Sequence, residues 1–235
     1  MTPSHHPLIS ERIAEVRENI ERAARRSGRT PDQVRLMVVT KEVPIDKMRS
    51  AIAAGAVLLG ENRVQSAREK VEELGREGLQ WHLIGNLQKN KVKYVFDLFD
   101  RIDSVDSVAL AEAIDKRATQ LGVVMPVLLQ INISGEESKF GLQPEELEKA
   151  LDATRDMKGI RVEGFMTIPP MDPDPQHARP YFSALRELRD KYAKMDKNIL
   201  LNELSMGMSS DYAVAIEEGA TLVRVGTSIF GSRSR

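Results

Sequence analysis

The chain has 235 residues, with 34 Lys and Arg against 35 Asp and Glu and 41% hydrophobic residues. A net charge of −1 gives no global field for nucleic acid or an anionic membrane. The absence of Cys excludes disulfides, thiolate metal sites and a Cys nucleophile, and it fits a cytoplasmic protein.

Residues 1–7 read as a polar, disordered tail, and His5-His6 within it reads as a solvated pair rather than a metal site. The first ten residues lack the apolar centre of a signal peptide, and no stretch reaches the ~18–20 apolar residues of a membrane span. Ile9, Ile13, Val16, Ile20 and Ala23-Ala24 recur at helical spacing and predict an extra N-terminal helix, ended by Ser27-Gly28-Arg29-Thr30-Pro31.

From there short apolar runs alternate with longer amphipathic stretches. Strands are predicted at 35–39, 57–60, 80–84, 98–102, 126–131, 161–164, 200–204 and 221–225. Helices are predicted at 45–54, 62–75, 88–96, 107–121, 144–156, 177–193 and 210–218. Such alternation implies parallel strands with right-handed crossovers, and eight of them in 235 residues favour a single (β/α)8 barrel over an open sheet. One domain, 1–235, is expected.

Active sites of such barrels lie at the C-terminal ends of the strands. The unusual residues of this chain fall there: Lys41 after the first strand, Gly60-Glu61-Asn62-Arg63 after the second, and His82-Leu83-Ile84-Gly85-Asn86 closing the third. Asn132 to Gly135 follow the fifth strand and Ser205 to Ser210 the seventh, while Gly226-Thr227-Ser228 follow the eighth. The last two loops supply glycines and hydroxyls where barrels often hold a phosphate, though caps and turns would account for part of them. Closure puts the first strand beside the eighth, so Lys41 would stand next to that cradle. It could be a covalent anchor, a counter-charge or a surface lysine. Arg224 shares a strand face with Leu222 and Gly226, and an interior charge needs a partner, either a ligand nitrogen or a glutamate of another strand.

The stretches VVTKEV around Lys41, LLGENRVQ at 58–65, WHLIGNLQKNK at 81–91, INISGEESKFG at 131–141, GFMTIP at 164–169, LSMGMSSD at 204–211 and RVGTSIFG at 224–231 span nearly the whole chain in order. Together they resemble the YggS/PROSC family of pyridoxal phosphate homeostasis proteins, whose barrel is similar to the N-terminal domain of alanine racemase. The resemblance implies that Lys41 carries pyridoxal 5′-phosphate (PLP) as a Schiff base and that Arg224 faces the pyridine nitrogen. It implies that Ser205, Gly226 and Thr227 hold the phosphate and that Asn62 and His82 line the pocket. Thr40, Glu42 and Asn86 depart from the usual family residues beside the site.

Arg can only donate at a pyridine nitrogen, which makes the ring a poor electron sink. Of the four tyrosines, Tyr94, Tyr181 and Tyr192 lie on predicted helix exteriors, and Tyr212 alone is near enough to the mouth to substitute for a second catalytic base. The expected function is therefore a cytoplasmic PLP carrier or buffer in PLP homeostasis, with no catalytic residues, no resident metal, apo PLP-dependent enzymes as acceptors and a monomeric state. An amino-acid racemase and a phosphosugar barrel enzyme without PLP are the alternatives. Lys139, in the loop after the fifth strand, reads either as a second amine for release or as a solvated lysine pairing with Glu136 or Glu137.

Overall fold

Eight parallel strands close in chain order in the computed structural model, which describes residues 8–136, 138–195 and 201–231. They are β1 (Arg35–Val39), β2 (Leu58–Glu61), β3 (Gln80–Leu83), β4 (Arg101–Val105), β5 (Met125–Gln130), β6 (Ile160–Met166), β7 (Glu203–Ser205) and β8 (Leu222–Val225). The barrel closes through β1 and β8, where Met37 pairs with Arg224 and Val38 with Val225. The expected (β/α)8 barrel is the fold found. The helices are α1 (Ile9–Arg26), α2 (Ile45–Ala53), α3 (Val64–Leu74), α4 (Val108–Leu121), α5 (Leu147–Arg155), α6 (Arg179–Met195), α7 (Tyr212–Glu217) and α8 (Thr227–Phe230).

Two-residue periodicity sorts the strand side chains. Val38, Leu59, Trp81, Leu83, Ile102, Val223 and Val225 join the large core shared with the helices. Met37, Leu58 and Leu222 form a separate small cluster with Ile84, inside the barrel. Polar side chains are buried on the strands as well: Glu61, His82, Arg101, Asp103, Ser104, Gln130, Ser205 and Arg224.

That polar interior moved one strand from its expected place. The run at 98–102 looked like a strand because it is apolar, but Leu98 and Phe99 pack outside, in the helix-covered core. The strand is Arg101–Val105, whose Arg101 and Asp103 pair inside the barrel through Nε–Oδ1 at 2.7 Å. Two interior charges satisfying each other across one pleat are invisible to a hydrophobicity pattern. Likewise the expected helix 88–96 is a six-residue 3-10 turn, Lys89–Tyr94. The expected strand 200–204 is Glu203–Ser205, with residue 200 outside the described residues. Residues 1–7, including His5-His6, also lie outside them.

The N-terminal helix has a structural task. α8 is a single turn after β8 and cannot cover the barrel there. α1 fills the gap, packing against α2, α7 and α8. Its Ile13, Val16, Ile20, Ala23 and Ala24 are buried, Arg12 donates to the Ile229 carbonyl and Arg17 to the Gly55 carbonyl.

Candidate functional site

Lys41 sits half-buried at the second position of a tight turn, closed by the Val43 amide donating to the Thr40 carbonyl at 3.0 Å. The third position, Glu42, has φ 59°, a left-handed conformation that disfavours a side chain and persists where surrounding contacts impose it. Those contacts converge on Thr40. Its amide donates to the Gly60 carbonyl at 3.0 Å, its hydroxyl donates to Glu61 Oε1, and its carbonyl also accepts from Lys70 Nζ at 2.6 Å. Lys70 reaches in from α3 and pairs with Glu61 at 2.7 Å, both side chains being buried. A buried cation–carboxylate pair, satisfied further by Thr40, thus pins the residue before Lys41.

Arg224, on β8, lies beneath the same rim. Its guanidinium donates to the Ser205 carbonyl at 2.7 Å, the Ser205 hydroxyl at 2.8 Å and the Thr167 carbonyl at 2.8 Å. The expected alternative, a salt bridge to a glutamate of another strand, is absent among the described residues. Burial lowers its pKa to about 10, against the opposing pull of Asp103 and Asp211, so it remains a cation at neutral pH. Ser205 is fully buried with its hydroxyl on Arg224, which places it below the rim rather than on it.

The hydroxyl on the rim is Ser209. Its Oγ accepts from the amides of Gly226 and Ser228, each at 3.3 Å, and the Ser228 hydroxyl donates to the Ser209 carbonyl at 3.4 Å. Gly226 and Thr227 therefore stand where the sequence put them, next to β1: a Cβ on Gly226 would lie 3.2 Å from the Val39 carbonyl oxygen. The β7 loop is shaped by Gly207, whose φ of 92° and Cβ position 2.5 Å from the Ala215 Cβ admit no side chain. Asp211 ties the same loop by accepting from the Met208 amide at 2.6 Å.

Asn62 directly follows β2 and His82 lies on β3. Gly85 lets the Asn62 backbone approach, since a Cβ there would be 2.2 Å from the Asn62 carbonyl oxygen. His82 is buried in the barrel, its Nδ1 3.3 Å from Asp103 Oδ1 but poorly aligned, leaving that nitrogen without a hydrogen bond. Burial favours a protonated Asp103, yet the charges of His82 and Arg101 outweigh it and hold the carboxyl well below its usual range.

The structure so gathers Lys41, Gly226 and Thr227 at one rim, joins Arg224 to Ser205 beneath it, and sets Asn62 and His82 alongside. Sequence reading missed the Lys70–Glu61–Thr40 clamp, because a buried lysine on a helix carries no signal of its own. Tyr212 is not at the mouth. It is buried, and its phenol, held by Asn19 of α1, is pushed up by burial. Tyr192 is buried as well, not exterior. Lys139 Nζ lies 3.2 Å from Glu136, and Glu137 is outside the described residues.

A family model described as "Alanine racemase, N-terminal domain" matches residues 12–234. A pyridoxal phosphate homeostasis protein of Aquifex aeolicus is 45% identical over 223 residues, covering 95% of this chain and 97% of its own. PipY of Synechococcus elongatus, solved with PLP bound, is 37% identical with a TM-score of 0.84, covering 95% of this chain and 100% of its own. Alanine racemase of Clostridium difficile, 15% identical with a TM-score of 0.73 over 93% of this chain and 56% of its own, shares the fold.

Proposed function

This chain belongs to the alanine racemase N-terminal domain family and, within it, to the pyridoxal phosphate homeostasis proteins, and from that premise we propose that it holds PLP reversibly through Lys41 as a single-domain intracellular carrier or buffer. Arg224 is the observation that carries the reading. A guanidinium buried in a barrel and bonded to neutral oxygens, with no carboxylate partner among the described residues, is expensive unless a ligand uses it.

The remaining donors fit the group. Ser209 and the amides of Gly226 and Ser228 form a polar cradle at the rim, to which exposed Thr227 adds a hydroxyl. Asn62 and His82 flank it, and His82 Nδ1 makes no hydrogen bond although Asp103 lies 3.3 Å away. Ser205 enters the site by fixing Arg224. When bound, PLP supplies an aldehyde for an amine and a ring that can draw electrons from it.

The protein's own groups support holding over turnover. Arg224 donates and has no proton to give at neutral pH, so it does not reinforce electron withdrawal as a carboxylic acid would. Tyr212, the one tyrosine near enough in sequence to the mouth to substitute for a second base, faces α1 instead. The carrier role makes apo PLP-dependent enzymes the acceptors, and the cytoplasm and a monomeric state fit it.

The test combines borohydride reduction of the PLP-loaded protein, peptide mapping, and chiral assays on a panel of amino acids. Label on Lys41 with no turnover supports the reading. Turnover at enzymatic rates would replace it with a racemase, and absence of PLP binding would remove it.

A further inference from the structure

Beside the barrel mouth, between α3 and the 3-10 turn Lys89–Tyr94, lies a cleft of about 690 Å³. It is built from two of the stretches that carry the family resemblance, 58–65 and 81–91, yet most of its lining has no part in the PLP pocket. Asn62 alone belongs to both.

Its electrostatics stand apart from the rest of the chain. Among the described residues, every other arginine donates a hydrogen bond to a protein oxygen, and Arg63 and Arg68 donate none. Both line this cleft with Lys91. Three cations crowd one ring: Arg68 Cζ, Lys91 Nζ and Lys93 Nζ lie 5.2, 6.0 and 4.8 Å from the Tyr94 centroid. None of these four cations forms an ion pair with a described residue, and Glu69 is the one carboxylate in the lining. Lys93, through a hydrogen bond and its charge, holds the Tyr94 phenol below its ordinary pKa, as Lys91 and Arg68 do to a smaller extent. Like charges gathered on one wall repel each other, in a chain whose net charge is only −1.

We propose that this cleft is a second ligand site, for a small phosphate monoester with a polar body, such as a nucleoside monophosphate or a sugar phosphate. Two arginine forks and a lysine match a dianion with three acceptor oxygens. Gln65 and Gln88, amides that both donate and accept, suit hydroxyls or a heterocycle edge. The volume is that of a small-molecule site rather than a flat protein interface. The inference goes beyond the PLP reading and does not need it.

The experiment titrates adenosine 5′-monophosphate, ribose 5-phosphate, inorganic phosphate, adenosine and a short glutamate peptide. It follows heat and NMR shifts in protein carrying PLP reduced onto Lys41, so that the barrel's own cradle is filled. The same titration of PLP-free protein separates the sites, because shifts at Arg63, Arg68 and Tyr94 report the cleft and shifts at 205–209 and 226–228 report the cradle. Both esters are expected to bind at the cleft and adenosine not to. Arg68→Gln and Lys91→Gln, at exposed positions, are each expected to weaken the esters by roughly tenfold or more while leaving PLP retention unchanged. Four results would overturn the site: no shift at the cleft, ester affinity unchanged in both variants, inorganic phosphate binding as tightly as the esters, or the glutamate peptide binding where the esters do not.

Discussion

Lys70 Nζ stands 2.6 Å from the carbonyl oxygen of Thr40, the residue before Lys41, and 2.7 Å from Glu61. The turn that carries Lys41, the proposed anchor, is therefore held in place by a second lysine, from a helix outside the barrel. Removing one member of a buried pair strands the other and typically costs ~3–5 kcal/mol. Lys70→Met is expected to lose about that much stability in urea melts. Adding Glu61→Gln removes the stranded charge and should recover much of it, but the Thr40 carbonyl still lacks its cation. PLP should then leave the double variant several times faster than the wild type when an apo-enzyme traps it. Wild-type retention in the double variant would show that the clamp serves stability alone.

Lys41→Ala should abolish covalent PLP attachment while leaving the thermal midpoint near that of the PLP-free wild type, because the side chain is half-buried in a turn. Mass spectrometry after borohydride checks it. Full labelling of another lysine in the wild type would move the anchor elsewhere.

The cradle makes a graded prediction. Ser209 accepts from two amides, whereas Thr227 is exposed at the edge. Hydrogen bonds to a charged group are worth ~1.5–3 kcal/mol, so Thr227→Ala should weaken PLP about ten- to a hundredfold, and Ser209→Ala at least as much. Pyridoxal, without the phosphate, should bind far more weakly than PLP. Equal binding of the two in a direct titration would assign the loops another purpose.

Asp103 gives the pH dependence. Its folded pKa is depressed below the unfolded value of ~3.9, so as pH falls the unfolded chain takes up the proton first. The stabilisation from this carboxylate is complete above about pH 5 and is lost progressively as pH falls below about 4. Stability of the wild type against urea should fall steeply in that acid range. Asp103→Asn, already destabilised because Arg101 loses its closest partner, should show a shallower slope there. Parallel slopes would mean other carboxylates govern acid unfolding.

Legibility from sequence followed the physics of each signal. β1 falls at 35–39 as expected because its apolar run, 36–39, is uninterrupted, and the helix pattern of α1 is equally plain. β4 was misplaced because its inward positions are Arg101 and Asp103, which read as surface until their pairing is seen. Glycines and hydroxyls at strand ends marked the rim, since local conformation demands those residues wherever the chain comes from.

The sequence by itself determined the eight-fold alternation and the placing of Lys41, Gly226 and Thr227 together at the C-terminal rim of the strands, because strand period, turn chemistry and position along a strand are local properties. Only the tertiary structure decided that the Ser205 hydroxyl accepts from Arg224, that Tyr212 faces α1, and that Lys70 grips Thr40. Each of those depends on which groups meet across sequence separations of 19 residues, 30 residues or far more, and on which of them burial forces to find a partner. No local pattern encodes that choice.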